Sequence, residues 1–136
     1  MSIKSEKGYR FKKEGVNILK NKQSLGKSGE QFAARLIINS GLSTVNLNYR
    51  CPKGEMDIIA RDGETLVFIE VRTRRSSFRG WGEESITQQK AKRLRDIASY
   101  YVLQQGYTNW PSLRFDVIAI RWISDNPDSV WIQAAI

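Results

Sequence analysis

Two neighbouring segments, Gly54-Glu55-Met56-Asp57-Ile58-Ile59-Ala60-Arg61 and Leu66-Val67-Phe68-Ile69-Glu70-Val71-Arg72-Thr73-Arg74, read as β-strands joined through Asp62-Gly63, and both carry acids among apolar residues. Asp-Gly is a strong two-residue hairpin signal, because both central positions of a type I′ turn need positive φ. With Asp62 and Gly63 as those central residues, Asp57 faces Phe68 and Glu55 faces Glu70. Glu55, Asp57, Glu70 and Arg72 then share one face, while Ile58, Ile69 and Val71 point to the other and pack. Asp57 and Glu70 become diagonal neighbours, with backbone positions roughly 7 Å apart. A carboxylate held away from water costs several kcal/mol unless it is paired, hydrogen-bonded or protonated. Glu55 opposite Glu70 adds repulsion, so the pattern calls for positive charge, and a divalent metal is the expected remedy.

What is missing from the chain narrows the chemistry. It has no histidine and a single cysteine, Cys51. Histidine bases, Ser-His-Asp and Cys-His nucleophiles, and histidine or thiolate zinc sites are therefore excluded within the chain. Oxygen-ligand chemistry remains, and it suits Mg²⁺ or Mn²⁺; magnesium takes one or two carboxylates and completes its shell with water and phosphate oxygens. The net charge of +8 over 136 residues points to a polyanionic partner, nucleic acid first. No apolar run is long enough to span a membrane and no secretory signal is visible, and a lone cysteine suits a reducing cytoplasm.

The chain divides into a basic arm, residues 1–24, and one domain, residues 25–136. The arm holds seven basic and two acidic residues. Leu25, Phe32, Ala33, Leu36 and Ile37 fall at helical spacing, and Gly41 is placed to stop that helix. Val45, Leu47 and Tyr49 alternate with polar residues in a first strand, followed by the two acidic strands. After a loop with Gly80, Trp81 and Gly82, a long helix is expected from about Ser85 to Gln105. Arg114 to Ile123 reads as a fourth strand, parallel to the third if the helix makes the usual crossover. Asn126-Pro127-Asp128 reads as the turn into a last strand, Val130 to Ile136. On the long helix Lys90 interrupts the stripe of Ile86, Leu94, Ile97 and Tyr101. It either snorkels to water or points at the carboxylates or a bound phosphate.

The Gly29-Glu30 helix, the Gly54-Glu55-Met56-Asp57 and Glu70-Val71-Arg72-Thr73-Arg74 strands, the Lys90 helix and Arg114-Phe115-Asp116-Val117 together resemble the YraN-type family of uncharacterised bacterial proteins. The resemblance runs from about Leu25 to the end. That family is similar to the PD-(D/E)XK nuclease superfamily and, within it, to archaeal Holliday-junction resolvases. The resemblance implies an α/β fold with a restriction-endonuclease-like α-β-β-β-α-β core, a mixed β-sheet flanked by helices, which matches the order read from the residues. It also implies that Asp57 and Glu70 bind the metal, that Glu30 is an additional acid, and that Arg72 occupies the position of the motif's lysine. Arginine cannot serve as a base, but it can orient a phosphate through paired hydrogen bonds. Related resolvases act as symmetric dimers, so a homodimer is a further expectation.

The expected activity is metal-dependent hydrolysis of a nucleic-acid phosphodiester, with branched DNA the substrate the resemblance favours. Asp57 and Glu70, helped by Glu55 or Glu30, would hold Mg²⁺ or Mn²⁺. Arg72 and Lys90 would stabilise charge on the phosphate, and Arg74, Arg75 and Arg79 would contact neighbouring phosphates. Each residue also has a duller account. Asp57 and Glu70 can form a structural acid pair satisfied by Arg72, Arg74 or Arg114, and Glu30 can favour a helix dipole. Asp116 is expected to cap or pair locally. Two other function classes compete with the nuclease: a nuclease-like fold that binds nucleic acid without cutting it, and a basic scaffold protein of a nucleoprotein assembly.

Overall fold

The computed structural model describes residues 22–75 and 86–136, leaving out the side chains of 22–27 and 75. Residues 1–21 of the basic arm, Arg79, Trp81, Ser85 and the Arg75 side chain thus lie outside the description. The order is α1 (Lys22–Asn39), β1 (Ser43–Cys51), β2 (Gly54–Asp62), β3 (Thr65–Arg75), α2 (Gln88–Gln105), β4 (Ser112–Ile123) and β5 (Asn126–Ile132). The strands form one mixed sheet in sequence order, antiparallel except for the parallel β3–β4 pair. The expected helix–three strands–helix–two strands order holds. Helix α1 begins inside the segment read as arm.

Strand alternation splits the core in two, one half under each helix. Phe32, Ala33, Leu36 and Ile37 of α1 pack on Ile58, Ala60, Val67, Ile69, Ile118 and Ile120, with Val71 against them. Leu94, Ile97, Ala98 and Tyr101 of α2 pack on Met56, Ile59, Leu66, Phe68 and Phe115 on the opposite face. Helix α2 starts at Gln88 because the Thr87 hydroxyl caps it, accepting the Lys90 N–H at 3.1 Å.

Three local expectations are corrected. The β2–β3 turn uses Gly63 (φ 63°) and Glu64, not Asp62 and Gly63, so Asp62 pairs with Thr65 and Ile58 with Ile69. Glycine at the first central position satisfies a primed hairpin turn by itself and lets Asp62 stay in the strand. The two-residue shift leaves the faces of Ile58, Ile69 and Val71 unchanged. It makes Asp57 and Glu70 the next positions beyond the last ladder pair, and it takes Glu55 away from Glu70. At the C-terminal end, the last turn is Ser124-Asp125, both left-handed, so Asn126, Pro127 and Asp128 begin β5 instead of turning the chain. Pro127 can do so because β5 is an edge strand, where a missing N–H is tolerated. Strand β5 ends at Ile132, four residues before the expected end. In β1 the register shifts between Thr44 and Asn46, and the expected alternation fails: Val45 and Leu47 are exposed while Tyr49 packs under α2.

Helix α1 rests unusually close to β3. A Cβ on Gly29 would run into the Thr73 hydroxyl and lie 3.3 Å from the Thr73 Cβ. A branched side chain rooted in a central strand has little room to yield. Gly29→Ala is therefore expected to destabilise the fold by about 1–2 kcal/mol, strain outweighing the better helix propensity of alanine. Urea denaturation of both proteins measures it, and an unchanged midpoint would show that the close approach can relax.

Candidate functional site

Beyond the irregularity between Thr44 and Asn46, the β1–β2 pairing is distorted at Asn48. Leu47 pairs with Ile58 and Tyr49 with Met56, but Asn48 between them adopts φ 56°. Asparagine is one of the few side chains that tolerates this left-handed conformation. Across from it, the alternation of β2 breaks: Met56 packs under α2 and Ile58 under α1. Asp57 sits at that break. Its carboxylate accepts the Val71 N–H at 2.8 Å, occupying a backbone donor of β3 beyond the last β2–β3 pair. Strand β3 itself continues along β4 to Arg75. Asp57 therefore sits where β2 separates from β3, half-buried and anchored by a main-chain bond.

Glu70 stands on β3 beside it. Its Oε2 accepts Arg72 Nε at 2.8 Å and lies 2.9 Å from Lys90 Nζ. The inward lysine of α2 thus reaches a carboxylate, one of the two alternatives to snorkelling. Glu30, on α1, faces Asp57 across a cleft of about 370 Å³ also lined by Arg35, Leu47 and Asn48. Burial, followed by repulsion from Asp57 and Glu55, pushes the Glu30 carboxyl above the ordinary glutamate value. Burial also pushes Asp57 up; repulsion from Glu70 and Glu55 adds to it, and the Val71 N–H and Lys90 oppose it. Beyond burial, acidic neighbours push both Glu30 and Asp57 up, which marks an arrangement short of positive charge.

Glu55 is exposed and lies 3.7 Å from Arg50, its cross-strand partner. Among the described residues, no three His, Cys, Asp or Glu side chains gather to hold a metal ion. The donor set nevertheless fits magnesium or manganese in one form: two carboxylates, with the remaining positions left to water and phosphate oxygens. It does not fit a closed all-protein cage. Arg74 lies further along β3, and Arg75 and Arg79 cannot be placed because they fall outside the described side chains.

A second acidic centre serves the fold. Asp116 is buried and accepts bonds from Arg114 Nε and Nη2, Trp131 Nε1 and the Ala134 N–H, at 2.9 to 3.3 Å. Arg114 also bonds Asp62 at 3.0 Å. The expectation that Asp116 pairs locally holds through Arg114, while the bonds from Trp131 and Ala134 come from residues distant in sequence. Asn48 was also missed. A polar residue in an exposed strand position is unremarkable unless its φ is known.

The sequence model of the uncharacterised protein family UPF0102 matches residues 29–120. That span contains Glu30, Asn48, Asp57, Glu70, Arg72 and Lys90. A UPF0102 protein of Desulfitobacterium hafniense is 54% identical over 116 residues, covering 83% of this chain and 96% of that protein. One from Moorella thermoacetica is 48% identical over 98 residues, covering 72% and 80%. One from Herminiimonas arsenicoxydans is 40% identical over 115 residues, covering 85% and 88%.

Proposed function

The chain belongs to the UPF0102 family, and we propose that it is a metal-dependent endonuclease of the PD-(D/E)XK kind, built on a restriction-endonuclease-like core, that hydrolyses phosphodiesters in structured or branched DNA. One observation carries the reading: Asp57, anchored by Val71 where β2 leaves β3, lies beside Glu70, which already draws Arg72 and Lys90. Acids and cations that would serve a phosphoryl reaction thus converge where a sheet opens. Asp57 and Glu70 would hold Mg²⁺ or Mn²⁺, with Glu30 across the cleft as the further acid. The bound ion supplies a more acidic water and a polarised phosphate oxygen. Arg72 keeps its proton throughout, so its part is to orient the phosphate and offset the charge that builds there. Lys90 adds a second positive charge.

The direct test is incubation with four-way junction, flap, single-stranded and duplex DNA in Mn²⁺, beside Glu70→Ala. Cleavage by wild type and none by the variant is expected; equal cleavage by both would expose a contaminant and defeat the reading. A specific observation favours a non-catalytic nucleic-acid binder as the second reading: Glu70 is already neutralised by two cations and the motif's lysine is replaced by Arg72. Calorimetric titration of Mn²⁺ into wild type and Asp57→Ala separates the two, since absence of binding in both favours the binder.

Phosphate contacts give a further expectation in either case. Arg74→Ala should weaken binding to all DNA forms alike and lower the slope of log K against log salt by about one. A slope unchanged across salt concentrations would remove Arg74 from the interface.

A further inference from the structure

The two cations on Glu70 are held very differently. Arg72 is two residues away on the same strand, so its guanidinium meets the carboxylate without any long-range arrangement. Lys90 reaches the same Oε2 from the first turn of α2, a helix on the other side of the sheet from α1. A cation in a first turn is disfavoured by the helix dipole, so its place is maintained by Glu70 and not by its own helix. It is also the more exposed of the two, 34% against 20%, and it borders a polar cleft of about 440 Å³ with Thr87, Gln89 and Arg93. An ammonium on a flexible stem can move into such a space at little cost, and its three donors suit a phosphate oxygen as well as a carboxylate.

We propose that Lys90 is a displaceable counter-ion: it neutralises Glu70 in the metal-free protein, leaves that carboxylate when a divalent cation arrives, and carries its charge to the phosphate backbone bound along α2. The inference rests on the metal-binding reading above. In the resting protein the ion and the ammonium compete for one carboxylate, so Lys90 lowers intrinsic metal affinity. Once nucleic acid is present, the displaced ammonium finds a new partner and the competition eases. Metal and nucleic acid therefore tighten each other's binding, and reciprocity requires the same factor in both directions.

The test is Mn²⁺ calorimetry on the full chain, comparing wild type with Lys90→Met, which keeps the stem and removes the charge. Lys92→Met and Arg95→Met are controls of equal charge change. Lys90→Met is expected to bind Mn²⁺ about five- to tenfold more tightly than wild type, and the controls to stay within about twofold. Nucleic acid should tighten Mn²⁺ binding by about fivefold or more in wild type, and by clearly less in Lys90→Met. Unchanged or weaker Mn²⁺ binding in Lys90→Met overturns the inference while leaving the metal reading intact. So does an equal gain in the controls, which would make the effect one of net charge. No Mn²⁺ binding in wild type or Lys90→Met, or binding that Glu70→Gln leaves intact, defeats the metal reading itself. A measurement on wild type needs no folded variant: saturating Mg²⁺ should move the Lys90 side-chain ¹⁵N resonance toward that of a free lysine while Lys92 stays put. A Lys90 resonance that does not move overturns the proposal.

Discussion

Asp57→Asn is expected to lower metal-dependent cleavage by about 10³-fold while making the protein more stable. The loss follows from replacing an anionic oxygen ligand by a neutral amide of the same shape. The gain follows from electrostatics. Burial and the neighbouring Glu70 and Glu55 raise the folded-state pKa of Asp57 above its unfolded value, against the opposing Val71 N–H and Lys90. In the pH range between those two values the folded chain binds more protons than the unfolded one, so stability falls as pH rises through it. The deficit persists at every pH above the folded-state value, where the carboxylate is ionised in both states. Asparagine cannot ionise, and its carbonyl can still accept the Val71 N–H. A gain of about 0.5–2 kcal/mol is in the range of such corrections. Melting curves from pH 4 to 8 check it: wild type should lose stability relative to the variant as pH rises. A variant less stable than wild type at pH 7, with Mn²⁺ absent, would show that Asp57 is a structural acid.

Asp116→Ala should cost about 3–5 kcal/mol, the penalty for removing one member of a buried ion pair. The change leaves Arg114 facing only Asp62, and it strands the Trp131 Nε1–H and the Ala134 N–H without their acceptor. Against a typical domain stability of about 5–15 kcal/mol, that is enough to bring the protein near unfolding at moderate temperature. Guanidinium denaturation reads the loss directly. A cost under about 1 kcal/mol would mean that water satisfies the three donors and that the network is not what ties the C-terminal segment to β4. Asp57 and Asp116 thus make opposite predictions although both are acids inside strands. The difference lies in their partners: Asp116 collects cationic and neutral donors that balance it, whereas Asp57 has one main-chain donor and several acidic neighbours.

That contrast marks how far the residues alone could be read. Asp57 stood out as an acid in an apolar strand and Asp116 was expected to cap or pair locally, but Arg114 was read as a possible partner of Asp57 and Glu70, whereas it bonds Asp116 and Asp62. Nothing in the alternation distinguished a satisfied carboxylate from a needy one. The hairpin between β2 and β3 was legible from Asp62-Gly63, yet its register was misjudged by two residues. Gly63 can occupy either central position of a primed turn, and the packing of Ile58 on Ile69 and Ile59 opposite Phe68 decides between the alternatives. The same limit applied to Pro127, which reads as a turn residue until the edge position of β5 is known.

Side-chain period and turn chemistry are local, and they determined the element order, the shared face of Ile58, Ile69 and Val71, the helical stripes and the short list of acids and cations. Residues distant in sequence decided the rest. Thr73 meets Gly29 and sets the depth of α1; Asn48 turns out of its ladder and leaves Asp57 at the opening of the sheet; Lys90 crosses from α2 to Glu70. Each is a contact between elements, and its energy depends on distances that no run of neighbouring residues encodes.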